Sequence, residues 1–144
     1  TKRIDALINN AGIHREAKSH LMSDEIWEEV IDTNAKAVFV SCREAYPYLI
    51  QQSSSVIINI GSFFDKMGVK SNLAYCSSKA AVGAITRCLA VEWASKGIRV
   101  LDVARKTPGQ PNEIASIVVG LLNPKMSFLT GDTIYVDGAH AIAH

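Results

Sequence analysis

Val56-Ile57-Ile58-Asn59-Ile60-Gly61-Ser62 is the stretch that decides the fold. Its β-branched residues run without a helical period and stop at a glycine and a serine, which is the signature of a buried strand. It is apolar on both faces, as strands are when a parallel sheet is covered by helices on each side. After it, Phe63 to Asn72 reads as a loop with a glycine at Gly68. Leu73 to Ala94 follows as the longest helix, rich in alanine, with Val82, Ile85, Leu89 and Trp93 on one side. Lys96-Gly97 ends it with a basic last turn and a glycine cap. Ile98-Arg99-Val100-Leu101-Asp102-Val103 is a further strand of the same kind.

The alternation extends in both directions. Towards the N-terminus, Thr33 to Leu49 repeats apolar residues at helical spacing (Val38, Cys42, Ala45, Leu49), and Pro47 near its end invites a kink. A shorter helix precedes it, with Ser23 as N-cap, Asp24 and Glu25 in the first turn, and Trp27, Val30 and Ile31 on one face. Ile4 to Ile8 is a strand that stops at Asn9-Asn10-Ala11-Gly12. Towards the C-terminus, Asn112-Glu113 opens a helix through Leu122, and Thr133 to Val136 is a strand closed by Asp137-Gly138. The order β-α-α-β-α-β-α-β predicts an α/β fold, a parallel sheet with helices on its faces. Chemistry in such sheets gathers at the carboxyl ends of the strands. Asn9-Asn10, Gly61-Ser62 and Asp137-Gly138 all stand there.

Composition narrows the function classes. With 144 residues, 48% apolar and 20% charged, the chain reads as one soluble domain. A net charge of +1, with its basic residues scattered, gives no footprint for nucleic acid. No apolar run approaches a membrane span, and Thr1-Lys2-Arg3-Ile4-Asp5 is not a signal peptide. The three cysteines and four histidines lack metal-ligand spacing, so no metal site and a reduced, cytoplasmic setting are expected. Cys42 and Cys88 fall on apolar helix faces and read as core or interface thiols; Cys76 reads as packing.

Tyr75 and Lys79, four apart on the longest helix, share one face. An ammonium beside a phenol favours the phenolate, and a phenol so placed can exchange a proton near neutral pH. Alone the pair is common. Its company is not: Asn9-Asn10-Ala11-Gly12 follows a strand, Asn34 opens a helix, and Ser62 follows the second strand. Gly97-Ile98-Arg99-Val100, Pro111-Asn112-Glu113-Ile114-Ala115 and Thr130-Gly131…Val136-Asp137-Gly138 come afterwards in that order.

Taken together, these motifs resemble the classical short-chain dehydrogenases over nearly the whole chain. The general pattern is nearest to reductases of 3-oxoacyl carriers and of small alcohols or sugars. The resemblance implies hydride transfer between NAD or NADP and a small carbonyl or alcohol substrate. Tyr75 would be the general acid/base, Ser62 would hydrogen-bond the reacting oxygen, and Lys79 would tune the tyrosine and hold the nicotinamide ribose. Asn34 would hold a water linking Lys79 to solvent. Asn10, Ala11 and Gly12 would line the adenosine side of the cofactor cleft, while Asn9 would tie strands together. His14 and Phe63 to Val69 lie on loops that could border a substrate. The helices carrying Asn34 and Tyr75 would pair across a two-fold axis in a homo-oligomer, a dimer or tetramer, with Ala80, Ala81, Gly83 and Ala84 suited to close packing.

The sequence departs from the family pattern in two places. It starts at what resembles the fourth of seven strands, without the glycine-rich phosphate loop. A segment is also missing near Ala104-Arg105, where a Pro-Gly turn and substrate loop belong; Pro108-Gly109 reads instead as the turn before the next helix. The resemblance therefore implies that the chain is the C-terminal part of a single Rossmann-type domain, a partial doubly wound parallel sheet whose strands resemble the fourth to seventh of the family. The alternative is an inactive binding or regulatory subunit.

Overall fold

A computed structural model describes residues 3–105 and 110–138. Pro108 and Gly109 lie outside the described residues. Strands β1 (Ala6–Asn9), β2 (Ser55–Ser62), β3 (Ile98–Arg105) and β4 (Thr133–Val136) form one sheet, ordered as in the chain and parallel throughout. β2 and β3 pair over their full length, from Ser55 against Ile98 to Ser62 against Arg105.

The two-residue period of the strands sorts their side chains between two cores. Ile57, Ile98 and Val100 face one side and pack with Val38, Cys42, Ala45 and Leu49 of α2 (Ala37–Leu49) and with Val82 and Ala90 of α3 (Leu73–Trp93). Val56, Ile58, Leu101 and Val103 face the other side and pack with Ile114 and Leu121 of α4 (Pro111–Leu121). Helices on both faces complete the doubly wound arrangement. A polar chain crosses the first core: the Asn9 amide donates to Asn59 Oδ1 at 2.9 Å, and the Asn59 amide donates to Thr86 Oγ1 at 2.9 Å. Asn9 thus ties β1 to β2, and β2 is tied in turn to α3. These buried polar groups satisfy each other only in this register.

The helices end as their sequences predict, with two differences. Ser23 caps α1 (Asp24–Ile31) by accepting from the Ile26 N–H, and Gly97 closes the turn after α3 with φ of 74°. The first difference is that α1 and α2 are not separate helices. A π-helical turn, Asp32–Lys36, joins them into a single run, with Asn34 and Ala35 buried on its inner side. Such a turn absorbs an extra residue without breaking the helix and re-aims the side chains it carries. The second is Cys88, which is exposed and so is not a core thiol, whereas Cys42 is fully buried. The alanines around Cys88 suggest an apolar stripe, but the face of α3 that carries it points away from the sheet.

Candidate active site

The carboxyl ends of β1 and β2 open into a cleft of about 500 Å³. Asn10, Gly12 and His14 line it from the segment after β1, Ser62 and Phe64 from the end of β2, and Tyr75 and Lys79 from the first turns of α3. Arg105 at the end of β3 and Ile114 on α4 complete the wall. Residues spread over most of the chain therefore meet because the strands are parallel and all end on one side.

Each polar group in the cleft has a defined set of partners. Ser62 Oγ accepts from the Phe64 N–H at 3.3 Å, which fixes the rotamer and leaves the hydroxyl proton free to donate. Lys79 is 5% exposed, and its Nζ donates to the Ile60 carbonyl at 2.8 Å. The same ammonium lies 5.7 Å from the Tyr75 ring centroid. Burial lowers the Lys79 pKa, and Asp102 opposes that effect. Tyr75 is held between rings, with His14 at 4.7 Å and Phe64 edge-on at 5.7 Å.

Asn34 is brought close to this group but does not line the cleft. It is 1% exposed. Its Oδ1 accepts from the Ile13 N–H at 2.8 Å, and its amide donates to the Ile13 carbonyl and to Ser78 Oγ. Both amide hydrogens are thereby spent, and the side chain clamps the backbone just after Gly12. Of the three residues expected at the cofactor, Asn10 and Gly12 line the cleft and Ala11 does not.

The residue that sequence reasoning missed is Asp102. It is fully buried under the cleft floor, with Oδ2 accepting from the Thr133 hydroxyl at 3.2 Å and Oδ1 without a hydrogen-bond partner. A Cβ on Gly61 would stand 2.4 Å from its carboxylate oxygens, so only glycine fits above it. Burial pushes the Asp102 pKa up to about 6, with Asp65 adding to the rise; Thr133, Lys79 and the Gly61 amide pull the other way. The signal was a carboxylate inside the apolar run Val100 to Val103. Beside it, Tyr135 donates to Asp65 Oδ2 at 2.7 Å, and Lys66 stands over the Tyr135 ring.

Gly12 and Lys79 are the residues of this cleft that could hold the ribose of a nicotinamide nucleotide. A Cβ on Gly12 would come 3.4 Å from Asn34 Oδ1 and 3.7 Å from Lys79 Nζ, so the Gly12 backbone runs close beside both groups. Lys79 keeps two N–H donors beyond the one on Ile60. Among the described residues no cluster of histidine, cysteine, aspartate or glutamate could hold a metal ion. No helix among them is long and apolar enough to cross a membrane.

Comparison with known proteins gives a consistent answer. A model of the short chain dehydrogenase family matches residues 1–109. The 3-oxoacyl-[acyl-carrier-protein] reductase FabG of Thermotoga maritima is 34% identical over 165 aligned positions, which take in 97% of this chain and 67% of that protein. That alignment is longer than this chain, so the relative carries residues within it that this chain lacks. The chain spans 62% to 67% of the length of such curated relatives. Among solved structures, aldohexose dehydrogenase of Thermoplasma acidophilum superposes with a TM-score of 0.93 at 29% identity, covering 99% of this chain and 69% of that one. A 4-hydroxyisoleucine dehydrogenase complexed with NADH superposes with a TM-score of 0.88 at 29% identity, covering 93% and 67%.

Proposed function

The chain belongs to the short-chain dehydrogenase family, and from that premise we propose that its cleft interconverts a small carbonyl compound and the corresponding alcohol with a nicotinamide cofactor. One observation carries the reading. Ser62, Tyr75 and Lys79, from two different elements, line the same cleft at the carboxyl ends of parallel strands. The cofactor supplies or accepts the hydride when bound. In the reductive direction Tyr75 gives its hydroxyl proton to the substrate oxygen, and Ser62 donates a hydrogen bond to that oxygen as negative charge builds on it. Lys79 stabilises the phenolate that remains and offers its spare N–H groups to the ribose hydroxyls. Asn10 and Gly12 face the cofactor. Asn34 acts as a positioning residue, through the Ile13 backbone.

The reading extends to organisation. The residues present in the relative and lacking here belong between β3 and α4, where few residues separate Arg105 from Pro111. That shortening leaves Arg105 and Ile114 on the cleft wall. The outer faces of α2 and α3 expose Phe39, Ala80, Ala84 and Val91, and pairing across them would give a cytoplasmic homo-oligomer. Tyr75→Phe in the full-length protein tests the chemistry. Nicotinamide oxidation with a panel of small ketones should fall by about two to four orders of magnitude. Circular dichroism should stay unchanged, and a variant that still turns over would sink the proposal.

A further inference from the structure

We propose that His14 positions the substrate: its Nδ1 accepts a hydrogen bond from a hydroxyl one or two carbons from the reacting carbon, so the substrate is a hydroxylated ketone or the matching diol. The inference rests on the reading of the cleft as a carbonyl–alcohol site and goes beyond it in naming the substrate class.

The argument begins at Asn72, which is 4% exposed. Its amide donates to the Lys70 carbonyl at 2.8 Å, which fixes the side-chain orientation and turns Oδ1 towards His14. Oδ1 can only accept, and its partner is His14 Nε2. Nε2 therefore carries the proton. A neutral imidazole has one N–H, so Nδ1 is left as a lone-pair acceptor. No described residue donates to it; the other side-chain contact of His14 is the ring packing on Tyr75.

The surroundings give that acceptor a use. His14 lines the same cleft as Tyr75, and its backbone follows Ile13, which Asn34 clamps at both N–H and C=O. The His14 and Tyr75 rings are in contact, with centroids 4.7 Å apart. A hydroxyl held at His14 therefore sits on a carbon close to the one whose oxygen Tyr75 serves. Among the described residues, the charged side chains of the cleft wall are Lys79 and Arg105, which can only donate, and no carboxylate lines it. Phe63 and Phe64 form an apolar wall for the carbon skeleton.

The test uses hydroxyacetone and butanone, which differ by a hydroxyl in place of a methyl. Histidine ¹⁵N resonances of the full-length protein are recorded at pH 8, with His14 assigned by its loss in His14→Phe. The expected result is an Nε2–H tautomer whose Nδ1 signal moves upfield with hydroxyacetone and stays in place with butanone. In turnover, His14→Phe keeps a ring against Tyr75, yet the preference in kcat/KM for hydroxyacetone over butanone should drop at least tenfold. A proton on Nδ1, an equal response to both ketones, or an unchanged preference each overturns the proposal. If Tyr75→Phe keeps its turnover while Nδ1 still responds selectively, the proposed chemistry fails and this inference stands.

Discussion

Replacing Asp102 by asparagine should make the protein more stable above neutrality, although it removes a charged group that acts on Lys79. Asp102 is fully buried, and its pKa rises from 3.8 to about 6, chiefly through loss of hydration. A raised carboxyl pKa means that the folded state holds the proton more tightly than the unfolded state. The stability this confers is complete below about pH 4 and is lost as pH rises through about 6. Between the folded and unfolded carboxyl, that difference in proton affinity corresponds to about 3 kcal/mol at pH 8. Asparagine keeps the size and the acceptor for Thr133 but cannot ionise. It carries a fixed cost of about 1 kcal/mol for its extra amide hydrogens, independent of pH. The stability difference between variant and wild type should therefore climb by about 3 kcal/mol between pH 4 and pH 8. In melting temperature that is a relative gain of roughly 10 °C. Urea unfolding of both proteins across this range reads the difference directly, since ionisations common to the two cancel. A flat difference would refute the reasoning and would mean that Asp102 is solvated or compensated in the folded state.

Other outcomes follow from the same packing. Gly61→Ala would drive a methyl group into the Asp102 carboxylate and should cost about 1–3 kcal/mol. Asp102→Ala in the same chain should recover more than about 1 kcal/mol of that loss, a coupling that a double-mutant cycle measures. Asn34→Ala removes three hydrogen bonds and should cost about 2–4 kcal/mol, with faster hydrogen exchange at the Ile13 amide as the local readout. Cys88 should react first with a thiol reagent at pH 8. Cys42, buried and with its pKa raised to about 11, should react only on unfolding; mass spectrometry of timed samples checks the order.

The local pattern of the chain was sufficient for the layout of the fold. Periods of two and of three to four residues are set by the geometry of strand and helix, so Val56 to Ser62, Leu73 to Ala94 and Ile98 to Val103 are legible without knowing what they touch. Spacing likewise placed Tyr75 and Lys79 on one face, because both belong to a single helix. Contacts between elements are another matter. That the Asp102 carboxylate lies under Gly61 depends on the register of β2 against β3, to which the two-residue period of either strand is blind. That Asn34 faces Ile13 follows from a π turn with no signature in composition. His14 meets Asn72 and Tyr75 across a large sequence separation, and the Asn72 amide it meets is oriented by Lys70. Cys88 is exposed because the sheet covers only one side of α3. The sequence by itself determined which segments form strands and helices and which residues could do chemistry. Only the tertiary structure decided which of those residues share a cleft, which charge is buried beneath it, and which side chains remain free to meet a substrate, since those outcomes depend on how whole elements pack.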